Sequence, residues 1–299
     1  MINRDLRGYG PNPPTTRWRK DARIAVSIVV NIEEGAELSL STGDEKNEGV
    51  YEVNDLVEGY PDPCMVSHFE YGSRVGYWRI LDTLEEHGVT ATFSTCGRAV
   101  EVSPWLASEA VVRGHEISAH GYRWERHAEM DEEDERSVIR HTIDEITKSA
   151  GVRPVGWHTR SASSVNTRRL LIEEGGFLYD SDAYNDDVPY LVNGIKKPHV
   201  IMPYSFDTND MRFFNQGGFI RSDDFACYCI DAFDNLWNEG CKTPRMLSIG
   251  LHPRIIGRPG RIGGLKILLD HVLSHDEVWV APRRDIAEFW IKTHGSRPM

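Results

Sequence analysis

The chain reads as an α/β protein, a closed or nearly closed (β/α) barrel of seven or eight units. Three observations predict it. Short β-branched apolar runs alternate with stretches whose apolar residues recur at helical spacing, which implies a parallel sheet with right-handed crossovers. Several of these runs are apolar without alternation, as in strands buried on both faces. The 299 residues show no repeat of fixed period and no compositional break, so one domain holds all the units.

Residues 1–22 are rich in Pro, Gly and Arg and are expected to form an irregular arm; the barrel domain spans 23–299. The first strand is Val26-Ser-Ile-Val-Val-Asn-Ile-Glu-Glu-Gly35, ending in two adjacent carboxylates. Residues 36–70 are acidic and turn-rich, and too long for a simple connection; they are expected to wall a site and help select its substrate. Val75, Trp78, Leu81 and Leu84 make one stripe of a helix over Tyr71–His87, which Gly88 is placed to end. Strand Thr90–Thr95 follows, then a helix from the Ser103-Pro104 start to Arg113, strand His115–His120, and helix Asp131–Ala150 with acids in its first turn. The cycle continues through strand Val155–His158, helix Thr167–Glu174, strands Phe177–Asp180 and His199–Pro203, and helix Asp223–Glu239. Strand Met246–His252, helix Arg261–Ser274, strand Val278–Val280 and helix Arg284–His294 complete it.

A net charge of −12 repels phosphate backbones and anionic membranes, so neither nucleic acid nor membrane is an expected partner. A small-molecule substrate fits better. The five cysteines match neither a zinc knuckle nor a redox pair, and read as reduced thiols. The N-terminal residues lack the apolar core of a signal peptide, and no run approaches the roughly 20 apolar residues that span a bilayer. A cytoplasmic location is the expectation.

Four strands end in polar groups that can meet above one barrel: Glu33-Glu34, His120, His158 and His252. In parallel α/β folds the working groups sit at such ends. A histidine at a strand end is more often structural, and His87, His115, His141 and His271 are read that way. Coincidence at four ends favours a site.

The segments Arg23–Gly35, Gly114-His-Glu-Ile-Ser-Ala-His-Gly-Tyr-Arg-Trp124, Asn166–Asp180, Asp207-Thr-Asn-Asp-Met-Arg-Phe213 and Leu247-Ser-Ile-Gly-Leu-His252 resemble the polysaccharide deacetylase superfamily, above all its branch of metal-independent allantoinases. The resemblance runs from the arm to Ser274. It implies a distorted (β/α) barrel and hydrolysis of a C–N bond other than a peptide bond. In the metal-dependent members the first motif supplies a base and then a metal ligand, positions held here by Glu33 and Glu34. Their second motif has two histidines one helical turn apart; here the first is His120, but position 124 is tryptophan, whose indole offers no lone pair. His127 is a poor substitute, seven residues on. No metal is therefore assigned and no cofactor is expected.

The resemblance implies that Glu33, its pKa raised by the Glu34 charge and burial, takes a proton from water that attacks an amide-type carbonyl, and that His252 protonates the leaving nitrogen. Deacetylases hold that histidine with an acid of their fourth motif, here Asp207 or Asp210. Asp207 is placed with Glu33, Glu34 and His252 in the catalytic set. His120, Tyr122, Trp124, His158, Arg160, Asp210 and Arg212 are expected at the substrate, and Asp182, Asp186 and Asp187 either join them or form a solvated turn. The segment Thr159–Val165, His158 and the 36–70 loop depart from the allantoinase pattern at pocket walls, so a cyclic imide competes with a ureide as substrate. A metal-dependent N-deacetylase of an N-acetylated sugar or peptidoglycan is a further contender, and a non-catalytic binding protein a weaker one. A homo-oligomer is expected from the arm and the resemblance.

Overall fold

A computed structural model describes residues 4–50, 52, 56–195 and 197–295. Among these residues nine strands carry the fold: β1 (Ile24–Ile32), β2 (Thr92–Thr95), β3 (Glu116–Ala119), β4 (Gly156–Trp157), β5 (Tyr179–Asp180), β6 (Tyr190–Val192), β7 (His199–Ile201), β8 (Arg245–Leu251) and β9 (Val278–Val280). The helices are α1 (Pro63–Tyr71), α2 (Tyr77–Glu86), α3 (Gly97–Val102), α4 (Trp105–Val112), α5 (Glu132–Ala150), α6 (Thr167–Glu174), α7 (Ser222–Glu239), α8 (Ile262–Leu273) and α9 (Arg283–His294).

The strands form one sheet in the order β6-β7-β5-β4-β3-β2-β1-β8, with β9 beside the first residues of β1. Every pairing is parallel except β6 with β7. The sheet curls into the distorted (β/α) barrel that the sequence predicts. Parallel pairing gathers the C-terminal ends of β1, β3, β4 and β8 on one face, which positions the site.

All nine residues of β1 are buried, and the two-residue period divides them. Ile24, Val26, Ile28, Val30 and Ile32 join the large apolar core with Ile80 and Leu84 of α2 and Leu265 and Leu268 of α8. Ala25 belongs to a second cluster with Trp18 and Trp290, and Asn31 reaches Tyr204 across the barrel. The odd-numbered positions thus face the interior, and continuing the alternation sends Glu33 inward and Glu34 outward.

Three local expectations change. The arm is packed at Trp18, whose indole donates to the Arg245 carbonyl at 2.7 Å and lies 5.2 Å from the Trp290 ring; residues 1–3 lie outside the described range. The last part of the 36–70 loop is helix α1, begun by Asp62 accepting from the Met65 amide with Pro63 in the first turn. It runs through a π-helical turn, Gly72–Gly76, into α2. Residues 51 and 53–55 of that loop are also outside the described range. Helix α3 and strand β6 fall in segments too short and mixed for a periodic signal. Among the described residues no helix is long and apolar enough to cross a membrane.

Candidate active site

Glu33 follows β1, His120 follows β3, His158 follows β4 and His252 follows β8, so four strand ends converge as the sequence reading expects. All four side chains are buried. Glu33 Oε1 lies 3.3 Å from His120 Nε2 and 3.6 Å from His252 Nε2. His252 is fixed from behind: its Nδ1–H donates to Asp210 Oδ1 at 2.6 Å, while Asp210 Oδ2 accepts from the backbone amides of His252 and Ile256. His120 Nδ1–H donates to the His158 carbonyl at 2.6 Å, which turns Nε2 toward Glu33. His158 stacks on His120 at 5.1 Å and shares a hydrogen bond with the Tyr184 hydroxyl.

A fifth group, Arg254, carries no signal in the sequence. Its guanidinium, 2% exposed, lies 2.7 Å from Glu33 Oε2 and 3.6 Å from Glu34 Oε1. The cation rests over the Phe69 ring at 4.7 Å and the Trp124 ring at 5.4 Å. Glu34 Oε2 accepts from the Glu33 amide, and its carboxylate lies against Gly72, where a Cβ would come within 2.2 Å of Oε1. The missing side chain at Gly72 makes room for that acid.

These neighbours set the charges. Burial alone would raise the Glu33 carboxyl, but Arg254, then His252 and His120, outweigh it and hold Glu33 well below the usual range. This corrects the expectation of a raised Glu33. Glu34 is the acid that rises, to about 7, because burial and the Glu33 charge exceed the pull of Arg254. Burial opposes charge on His252, yet Asp210 and Glu33 raise it to about 9, so it is an imidazolium at neutral pH. His158 is driven well below its ordinary value by burial and the nearby His120 and Arg283 charges, and stays neutral. The result is an ionised carboxylate in contact with a protonated imidazole and a guanidinium, an arrangement able to take one proton, give one, and stabilise developing negative charge.

The other predicted residues divide. Asp210, not Asp207, holds His252: a parallel bridge between Asn209 and Gly250 seats Asp210 beside the end of β8, while Asp207 turns outward to the Ser205 and Tyr228 hydroxyls. Tyr122 also points away, donating to Glu101 at 2.6 Å. Arg212 lies over Tyr228 at 4.2 Å and Phe219 at 4.7 Å and donates to the Asp207 carbonyl; it makes none of the contacts that join Glu33, His120, His252 and Arg254. Arg160 stacks on Trp124 at 3.4 Å and pairs with Glu48. Together with the Arg123–Asp44 pair, this ties residues 36–50 to the segments that follow β3 and β4. Asp182 accepts from the Thr159 amide and hydroxyl, and its pKa is raised to about 6 by burial and Asp180. Asp186 and Asp187 close their own turn. Tyr204, hydrogen-bonded to Asn31 and 4.4 Å from the His158 ring, is a wall that the sequence did not disclose.

A metal of the kind the deacetylase resemblance implies does not fit these side chains. Trp124 packs with Met65 and Phe69 where a second histidine ligand would stand, and Arg254 puts a permanent cation between the acids.

Known proteins resemble this chain in sequence and in fold. The sequence profile of the polysaccharide deacetylase family matches residues 58–178. A Schizosaccharomyces pombe protein with the provisional name of polysaccharide deacetylase is 39% identical, over 97% of this chain and 98% of its own. A peptidoglycan deacetylase of Helicobacter pylori is 25% identical over 78% of this chain and 90% of its own. Among solved structures, PuuE allantoinase superposes with a TM-score of 0.95 at 44% identity, covering 99% of this chain and all of that one (100%).

Proposed function

The chain belongs to the polysaccharide deacetylase family and is a hydrolase of that family, and on that premise we propose that it opens a small cyclic amide or ureide by attack of water on a ring carbonyl. The observation that carries this reading is the Arg254 guanidinium lodged between Glu33 and Glu34. It supplies, from the chain itself, positive charge at the reacting centre. The burial of Glu33, His120, His252 and Arg254 favours a substrate small enough to be enclosed over a polymer. The likeness to an allantoinase supports the same substrate class.

In this mechanism the Glu33 carboxylate takes a proton from a water molecule as its oxygen bonds to the carbonyl carbon, and the carbonyl pair becomes an oxyanion. Arg254 counters that charge. His252 passes its Nε2 proton to the ring nitrogen as the C–N bond breaks and the oxyanion collapses to a carboxylic acid. Loss of that acid's proton and return of the Glu33 proton to His252 restore the starting state. The Arg254 charge weakens Glu33 as a base, because a low pKa lowers proton affinity, while stabilising what Glu33 helps to make. The site therefore relies more on charge stabilisation than on base strength.

A hydrolysis screen over allantoin, hydantoins, succinimide-type imides and N-acetylglucosamine oligomers tests the reading, with Glu33→Gln as the control. Chelator-resistant ring opening that Glu33→Gln abolishes is expected. The relationship to a peptidoglycan deacetylase supports a second reading, N-deacetylation of an N-acetylated sugar; release of acetate from the N-acetylglucosamine oligomers with no ring opening of any cyclic amide would replace the first by the second.

A further inference from the structure

Asp234 on α7 and His271 on α8, with His275 just past the end of α8, bring two imidazoles and a carboxylate together outside the candidate active site. His271 Nε2 lies 2.7 Å from Asp234 Oδ1, and His275 Nε2 lies 4.0 Å from the same oxygen. All three ligating atoms fall within 4.8 Å of one another. We propose that this cluster binds one divalent transition-metal ion of the zinc type, clamping α7 to α8.

The donor chemistry supports the assignment. His275 Nδ1–H donates to the His271 carbonyl at 2.9 Å, which fixes the tautomer and leaves the Nε2 lone pair facing Asp234. A ligating histidine usually places its second nitrogen on a carbonyl in this way. Tetrahedral zinc, with bonds near 2.0–2.1 Å, holds its ligand atoms about 3.3 Å apart. The observed separations bracket that figure, so small rotations of three half-buried side chains close the site. Phe233 and Trp237 meet the His275 ring at 5.1 Å and 5.3 Å and wall one side with apolar surface. Asp234, 44% exposed at its side chain, leaves an entry from solvent and a place for a water as fourth ligand. Two imidazoles and one carboxylate suit zinc, nickel or copper and disfavour magnesium or calcium, which prefer all-oxygen sites.

The position separates this site from the chemistry. Helix α7 ends before β8 begins and α8 ends before β9 begins, so the cluster lies toward the N-terminal ends of the strands, whereas Glu33 and His252 lie at the C-terminal ends. A metal here is a structural clamp. In sequence alone His271 is indistinguishable from a structural histidine; only the packing of α7 on α8 brings it to Asp234 and His275.

Chelator-stripped full-length protein titrated with zinc chloride by calorimetry tests the proposal, together with the unfolding temperature. One saturable equivalent is expected, and excess zinc raises the unfolding temperature by a few degrees, reversed by chelator. His275→Gln and Asp234→Asn should each weaken binding by about tenfold or more and lose the thermal shift, while their metal-free melting stays near that of the parent. Glu33→Gln should bind zinc unchanged. Absence of saturable binding, equal binding by the parent and His275→Gln, or loss of binding in Glu33→Gln would each overturn the assignment.

Discussion

Replacing Arg254 by methionine removes the guanidinium and keeps much of the apolar stem that packs on Phe69 and Trp124. Two buried carboxylates, Glu33 and Glu34, then face each other without their shared cation. Removing one partner of a buried pair typically destabilises by about 3–5 kcal/mol. Part of that is recovered here, since Glu33 loses the strongest charge opposing its burial and takes up a proton more readily than in the parent. The loss should therefore be smaller at about pH 5 than at about pH 8, because protonation neutralises the pair. For turnover, loss of an oxyanion-stabilising group costs about 10²–10³ in kcat, roughly 3–4 kcal/mol. Rates from about pH 4 to about pH 10 should show the acidic limb moving upward as the Glu33 carboxyl rises. Urea unfolding at both pH values measures the stability term as a shift in midpoint at constant m. Adding Glu34→Gln to Arg254→Met should restore stability without restoring turnover. A kcat within about threefold of the parent, with the acidic limb unmoved, refutes the claim that Arg254 sets the charge of Glu33 and steadies the oxyanion.

Further outcomes follow from the same geometry. His252 is raised from 6.5 to about 9, so its stabilising contribution is complete below 6.5 and is lost as pH rises through about 9; activity should fall over that alkaline limb too. Asp210→Asn should bring the limb down toward neutrality, whereas Asp207→Ala should leave it in place; the two pH–rate profiles decide which acid holds the histidine. Gly72→Ala drives a methyl group into the Glu34 carboxylate and should destabilise by about 1–3 kcal/mol. Glu34→Gln in the Gly72→Ala background should not relieve that loss, since the clash is steric; recovery in chemical denaturation would make it electrostatic.

The strands and the four converging ends are legible because a buried parallel strand writes itself as an unbroken apolar run and ends abruptly in polar groups. What the sequence hides comes from register. Arg254 stands two residues past His252 in a segment without periodicity, and an isolated arginine there reads as solvated. Only the parallel pairing of β1 with β8, with Val30 opposite Leu251, carries it over Glu33. Asp207 and Asp210 are equivalent as sequence, and one bridge from Asn209 to Gly250 separates them.

The Glu33-Glu34 dipeptide misleads for the same reason. Along the chain the strongest neighbour of either carboxylate is the other, which predicts a raised base. In the fold, strand alternation sends Glu33 into the barrel mouth between His120, His252 and Arg254, and sends Glu34 against Gly72. Adjacent identical residues thereby acquire opposite shifts, Glu33 downward and Glu34 up to about 7. Because a single cation touches both, their protonation is linked: a proton on Glu34 frees more of the Arg254 charge for Glu33 and for the oxyanion that Glu33 helps to form. Glu34 therefore acts in the proposed chemistry as a regulator of Arg254 rather than as a second base.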